Sequence, residues 1–365
     1  MDDSFELKVV EVVEETADAH SISFEIPEDL AEHFVYKPGQ FLTLAVPSDQ
    51  TGVAARCYSL SSSPVGGGPL TITVKRTVDG YASNWVCDNL REGDTMRVLP
   101  PSGIFTPASL SADLLLFAGG SGITPVISIT RTALQQGTGK IVLFYANRDE
   151  RSVIFAEELA ELAAENPDRL VVVHWLESVQ GLPSQEQMQA FAASFTSYDA
   201  FVCGPAPFMK LTVAALKALE FPRERRHQEK FVSLGGNPFG DLHDQEIAEH
   251  EIEDAETDPD DLTEVAPDEG GPQGPVKLEV ELDGQDYTFD DWAPGTKLLD
   301  HLESKGVKAP YSCREGECSA CAIRLLQGEV KMLRNDVLDA DDLADGIRLG
   351  CQSVPMTDTV KVTYH

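Results

Sequence analysis

Basic residues are scarce: 28 Lys and Arg face 61 Asp and Glu over 365 residues, a formal net charge of −33. Binding to a phosphate backbone needs Lys and Arg, so this balance argues against a nucleic-acid partner. No apolar run approaches the length of a membrane-spanning helix, so no membrane span is expected. The acidic start, Met1-Asp2-Asp3-Ser4-Phe5-Glu6, has no apolar stretch and predicts no secretory leader. His-Glu-x-x-His is absent, and the eight His residues are scattered, so each reads as a surface or core residue. No internal repeat is visible. An odd seven cysteines without a leader argue against a disulfide framework and for a reducing, cytoplasmic setting.

What is present suffices for ordinary cores. Hydrophobic residues make up 42% of the chain, and its length suits two or three domains at about 150 residues each. Residues 1–110 contain short runs broken by Pro and Gly, among them LKVVEVVEE, SISFEIP, QFLTLAVP, LTITVKRT and DTMRVLPP, which fit an antiparallel β-barrel. Within 111–234, apolar strands such as DLLLFAG, KIVLFYA, RLVVVHWL and YDAFVCGP alternate with helical stretches. That pattern means βαβ units and a parallel sheet. Residues 235–275 read as a linker, and 241–275 carry 14 acidic residues, no basic one and no aromatic. Such a segment cannot bury enough apolar surface to offset its ordering entropy. It is either a tether that lets the last domain move or a plain solvated spacer. Residues 276–365 read as a small α+β domain: a hairpin (VKLEVELDG, QDYTFDDW), a helix (TKLLDHLESKG) and a late strand (TVKVTYH).

The strongest chemical signal lies in that last domain. Cys313, Cys318, Cys321 and Cys351 are spaced C-x4-C-x2-C-x29-C. Four thiolates are what a [2Fe–2S] cluster needs, and this is the plant-type spacing. Gly316, Ser319 and Ala320 let backbone N–H groups approach the cluster sulfurs. A zinc site is the alternative, but zinc ribbons use paired C-x2-C knuckles and only one such pair exists.

Three further motifs precede the linker. Arg56, Tyr58 and Ser59 in RCYS are expected on one face of a strand, where they suit a pyrophosphate, a flat ring and a ring nitrogen. Gly80-Tyr81-Ala82-Ser83 reads as a glycine loop leading into the helix SNWVCDNL, whose first amides and Ser83 suit phosphate. Gly119-Gly120-Ser121-Gly122-Ile123-Thr124-Pro125 follows a strand and opens a helix, with Pro125 near its first position, and suits a dinucleotide pyrophosphate. Cys203-Gly204-Pro205 ends a later parallel strand, where ligands of such sheets bind.

In this order, R-x-Y-S, G-x-x-S, GGSGITP and CGP resemble the ferredoxin–NADP reductase superfamily over about residues 5–235, and Val276–His365 resembles a plant-type ferredoxin. The combination resembles the reductase components of multicomponent oxygenases, most nearly those of 3-ketosteroid 9α-hydroxylases, with those of phenylacetyl-CoA epoxidases and hybrid-cluster proteins as neighbours. The resemblance implies a β-barrel flavin domain, a Rossmann-like nucleotide domain and a β-grasp ferredoxin domain. It also implies electron transfer from NADH through FAD and [2Fe–2S] to a Rieske-type terminal oxygenase of steroid-ring degradation, by a monomeric reductase. A plant-type cluster near roughly −400 mV lies below the Rieske range, which starts near about −150 mV.

Carried over by position, Arg56 holds flavin phosphate, Tyr58 packs on the ring and Ser59 bonds near N5. Val74 and Lys75 line the ribityl and pyrophosphate, and Gly80, Tyr81, Ala82 and Ser83 form the phosphate loop. Gly120, Gly122, Thr124 and Pro125 take the nicotinamide dinucleotide, with Thr124 and the Cys203-Gly204 pair near the nicotinamide, so Ser59, Thr124 and Cys203 are the catalytic candidates. Glu229 and Phe231 match the end of the reductase core. Phe231 or Phe239 is expected to cover the flavin, and which one stays open. Asp149 and Glu150 favour NADH by repelling a 2′-phosphate, while Arg148 and Arg151 suit one. FAD is favoured over FMN by the phosphate loop. Two other classes compete: a redox sensor with slow turnover on artificial acceptors, and a stand-alone enzyme, for which no substrate pocket is marked.

Overall fold

The computed structural model describes residues 4–48, 52–78, 80–231, 239, 271–272, 274–282, 284–307, 309–311, 314–316, 318–338 and 340–364, the Asp341 side chain excepted. Most of the acidic stretch, and Cys313, lie outside these residues. The chain divides into two compact units, Met1–Phe239 with Pro310–Ala320, and Gly240–Ala309 with Cys321–His365. Among the described residues no helix is long and apolar enough to cross a membrane.

The first unit opens with β1 (Phe5–Thr16), β2 (Ala19–Glu25), β3 (Phe41–Ser48), β4 (Gly52–Ser59), β5 (Leu70–Lys75) and β6 (Thr95–Ser102). They pair in the order β4–β3–β6–β1–β2–β5, and every ladder is antiparallel. A bridge from Leu60, just past β4, to Ile72 of β5 joins the two ends and closes the sheet. Alternation drives this: Leu7, Val9, Ile22, Leu42, Leu44 and Ile72 point inward and are fully buried together. Helix α1 (Tyr81–Asn89) packs Ala82, Val86 and Cys87 into the same core.

A parallel sheet follows. Its strands are β7 (Leu114–Gly119), β8 (Ile141–Asn147), β9 (Leu170–Leu176), β10 (Asp199–Cys203) and β11 (Arg226–Glu229), in the order β11–β10–β7–β8–β9. The connecting helices are α2 (Ile123–Gln136), α3 (Ala156–Glu165), α4 (Glu177–Gln180), α5 (Gln185–Ala192) and α6 (Ala206–Ala218). Central β7 is buried on both faces, with Leu114 and Leu116 in one core and Leu115 and Phe117 in the other. This explains its continuous apolar sequence. Strand order reverses between β7 and β10, and open α/β sheets bind ligands beyond the carboxyl ends of their strands at such a point. The sequence reading left out β11, because RHQE is short and polar; only the parallel pairing of Ala200–Cys203 with Arg226–Glu229 makes it a strand.

The second unit contains β12 (Val276–Leu282), β13 (Gln285–Trp292), α7 (Leu298–Ser304), β14 (Ala322–Gln327), β15 (Val330–Met332), α8 (Ala340–Ala344), β16 (Ile347–Leu349), β17 (Ser353–Pro355) and β18 (Thr359–Thr363). The sheet order is β13–β12–β18–β14–β16, and β15 pairs with β17. The expected β12–β13 hairpin is present, and first strand β12 runs parallel to last strand β18. The apolar side of α7, Leu298, Leu299 and Leu302, is buried.

Candidate functional site

The loop after β7 and the loop after β10 meet backbone to backbone. A Cβ on Gly122 would stand 2.2 Å from the Cys203 carbonyl oxygen, and one on Gly204 would stand 2.9 Å from the Gly119 nitrogen. Glycine at these two positions therefore serves loop-to-loop packing. Gly120 differs: it holds φ at +51°, and the nearest atom to its missing Cβ is the Lys75 ammonium nitrogen at 3.9 Å. Apart from that ammonium, the space beside Gly120 is open. Helix α2 starts at Ile123, so Pro125 is its third residue and costs no helical bond, because first-turn N–H groups have no partner within the helix. Gly122 supplies no side-chain cap to those N–H groups. Thr124 is buried, its hydroxyl donating to the Ser121 carbonyl at 3.1 Å.

Cys203 ends β10 directly opposite Glu229 of β11. Burial pushes the Cys203 thiol well up, and the Glu229 charge adds to this. Burial likewise pushes the Glu229 carboxyl up to about 8. Phe41, Cys57 and Ser59 are among the residues lining a cavity that Glu229, Lys230 and Phe231 also line. The barrel's Ser59 and the end of the parallel sheet thus share one space.

On the barrel side the expectation for RCYS needs correcting. Arg56 and Tyr58 are two apart on β4 and share a face, but Ser59 is adjacent to Tyr58 and strand alternation turns it to the other. Burial raises the Tyr58 phenol, an effect that nearby Arg56 offsets in part. Val74 is fully buried in the barrel core, so only its backbone can face a ligand. Lys75 stands 3.7 Å from the Asp18 carboxylate. Helix α1 begins at Tyr81, two residues earlier than expected, with Gly80 as a cap that has no side chain. Its first N–H groups are therefore left to water or a ligand. Ala82 is buried in the core, and the Tyr81 hydroxyl donates to the Pro47 carbonyl at 2.7 Å. The Ser83 hydroxyl accepts the Thr77 N–H at 3.0 Å, so it braces the loop.

Phe231, just past β11, is 49% exposed, whereas Phe239 is buried under the Arg97 guanidinium, 5.2 Å from its ring centroid. The Phe239 carbonyl also accepts from Arg97 at 2.9 Å. Asp149 is spent locally: its carboxylate caps a short turn, accepting from the Arg151 and Ser152 N–H groups at 3.1 and 3.0 Å.

Cys318, Cys321 and Cys351 are buried and in no disulfide, and the Cys351 N–H points at the Cys321 sulfur at 3.5 Å. Among the described residues no three His, Cys, Asp or Glu side chains converge on one point. A two-iron cluster does not ask for that, because each iron takes its own pair of thiolates.

Three family models match this chain: an oxidoreductase FAD-binding domain over residues 6–106, an oxidoreductase NAD-binding domain over 116–214, and a 2Fe-2S iron-sulfur cluster binding domain over 280–356. The ferredoxin reductase component of 3-ketosteroid-9-alpha-monooxygenase from Rhodococcus rhodochrous is 52% identical over 98% of this chain and 96% of its own length. The chain belongs to the ferredoxin reductase components of multicomponent oxygenases. One component of 1,2-phenylacetyl-CoA epoxidase from Escherichia coli is a more distant relative, 33% identical over 98% of this chain and 97% of its own. In fold the chain resembles phthalate dioxygenase reductase, with a TM-score of 0.57 and 22% identity over 99% of this chain and 98% of that one.

As a member of this family the protein is an oxidoreductase with FAD-binding, NAD-binding and [2Fe–2S] domains. The residues present fit these groups. The starts of α1 and α2 have no side-chain cap and so suit phosphates, the space beside Gly120 is open, and buried thiols of plant-type spacing suit a cluster. Sequence reasoning named Glu229 only as the end of the reductase core. Its facing position to Cys203 became visible once β11 was known to be a strand.

Proposed function

We propose that this chain is the reductase of a 3-ketosteroid 9α-monooxygenase, passing electrons from NADH to a Rieske-type terminal oxygenase in steroid-ring degradation. The full-length likeness to ketosteroid reductase components carries this reading. When bound, FAD accepts paired electrons from the nicotinamide and the [2Fe–2S] cluster takes them singly; the chain's own residues bind, orient and shield these groups. Arg56 pairs with flavin phosphate, Tyr58 packs on the ring, and Ser59 sits beside its reactive nitrogen. The Val74 backbone and Lys75 line the ribityl and pyrophosphate segment. Gly80, Tyr81, Ala82 and Ser83 present the α1 amides to phosphate. Gly120, Gly122, Thr124 and Pro125 form the dinucleotide loop, and Thr124 with Cys203 and Gly204 frames the nicotinamide.

Phe231, exposed beside the shared cavity, is the aromatic that covers the flavin; Phe239, held by Arg97, braces the barrel instead. Cys313, Cys318, Cys321 and Cys351 hold the cluster. NADH is preferred because Asp149 and Glu150 disfavour a 2′-phosphate. The domains run 1–110, 111–234 and 276–365 with 235–275 as linker, and the protein works as a cytoplasmic monomer.

Reconstitution tests the reading. The flavin- and iron-loaded protein, NADH and a ketosteroid 9α-oxygenase component should together yield hydroxylated steroid. Turnover only with the oxygenase components of a phenylacetyl-CoA epoxidase, or only with a hybrid-cluster protein, would reassign it.

A further inference from the structure

Tyr364 lies just past β18, where its N–H donates to the Glu281 carbonyl at 3.0 Å and so continues the β12–β18 ladder. Its hydroxyl is buried and has no hydrogen-bond partner among the described residues. Burying a hydroxyl without an acceptor is costly, so an orphan of this kind asks what completes it. The phenol ends over the turn that carries Cys351. A Cβ on Gly350 would stand 3.0 Å from the Tyr364 oxygen and 3.2 Å from the Cys321 carbonyl oxygen. The carbonyls at this turn are already engaged, since Cys321 accepts the Gly350 N–H at 2.9 Å and Gly350 accepts the Leu299 N–H at 3.1 Å. Cys351 follows Gly350 directly, and its N–H points at the Cys321 sulfur at 3.5 Å, so two sulfurs flank this turn. Burial raises the phenol well above its usual range, and Cys321, Cys351 and Glu303 raise it further, so all three lie within electrostatic reach.

We propose that Tyr364 is a positioning residue of the iron–sulfur centre, its hydroxyl donating to the ligand sulfur of Cys321 or Cys351 once iron is bound. The inference rests on the [2Fe–2S] reading of the four cysteines. An added electron raises the negative charge on the cluster sulfurs, so a donor aimed at one of them stabilises the reduced form more than the oxidised one. Tyr364 therefore sets the cluster's potential above the value it would have without the hydroxyl. Gly350 belongs to the same device, because a Cβ there would press on the phenol oxygen and shift it.

The test is a redox titration of the iron-loaded, full-length protein and its Tyr364→Phe variant. The variant should keep its iron and sulfide content and shift to a more negative midpoint. That shift is a several-fold fall in the reduced-to-oxidised ratio at fixed ambient potential. Pulsed electron–nuclear resonance on the reduced cluster should show one strongly coupled proton, exchangeable in D2O, that the variant lacks. An unchanged midpoint with the same exchangeable coupling would overturn the proposal. If Tyr364→Phe fails to hold a cluster, Gly350→Ala serves instead. It displaces the hydroxyl without removing it, so it should move the midpoint in the same direction, and an unmoved midpoint counts against the proposal. Wild-type protein purified from iron-replete cells without iron or sulfide would instead overturn the cluster reading, and this inference with it.

Discussion

Single side chains divide the work between binding and tuning, and each division can be measured. Arg56 carries a fixed positive charge on β4 beside Tyr58. Hydrogen bonds to a charged partner contribute about 1.5–3 kcal/mol, so Arg56→Ala should weaken flavin binding about ten- to hundredfold. The flavin-to-protein ratio after dialysis measures this; full occupancy would contradict the role given to Arg56. Cys318→Ser should leave NADH-driven bleaching of the flavin intact and abolish delivery of electrons to the oxygenase. Glu229 gives a pH signature. Its carboxyl is held near 8 in the folded protein against an ordinary value of 4.5. Below 4.5 both folded and unfolded states hold the proton and nothing is lost. As pH rises from 4.5 to 8 the unfolded chain releases it first, so stability falls through that window and levels off above it. Glu229→Gln removes this loss. Its stability advantage over wild type in urea unfolding should grow from pH 5 to pH 8, reaching on the order of a few kcal/mol. A constant difference would mean that the carboxyl titrates normally.

At the scale of elements, the crossing of two loops matters most. Gly122 has an ordinary backbone conformation, yet its missing Cβ would lie 2.2 Å from the Cys203 carbonyl. Gly122→Ala must push the α2 start away from β10, at a cost of about 1–3 kcal/mol or more. NADH affinity and the melting temperature should fall together; a variant with unchanged values for both would show that the loops yield freely. This contact also marks how much the sequence could tell. Long apolar strands such as β7 and β8, the α2 and α6 stretches and the β12–β13 hairpin were legible from periodicity alone. So were RCYS, GGSG, CGP and the cysteine spacing as motifs. Alternation itself should have separated Ser59 from Tyr58. Other features depend on neighbours distant in sequence. RHQE becomes β11 only by pairing with β10, and Val74 turns out to be core. That Asp149 caps the turn at Arg151 and Ser152 shows only in the structure. The Tyr364 hydroxyl carries no signal at all in the sequence, because its meaning lies in the absence of a partner.

At the scale of the whole molecule, three family domains in one chain bring a two-electron donor and a one-electron acceptor under the same control. The acidic balance, −33 overall, suits steering toward a basic partner surface. Electron delivery to the oxygenase should therefore slow as salt is raised, while flavin reduction by NADH is unaffected; equal salt dependence of both steps would remove this role for charge. The central claim is that the chain divides an electron pair between two prosthetic groups. Rapid mixing of the loaded protein with one equivalent of NADH without oxygen, followed by freeze-quench electron paramagnetic resonance, tests it most directly. The account predicts bleaching of the flavin followed by the spin signal of a one-electron-reduced [2Fe–2S] cluster. A flavin that bleaches while the cluster stays oxidised and silent would contradict it.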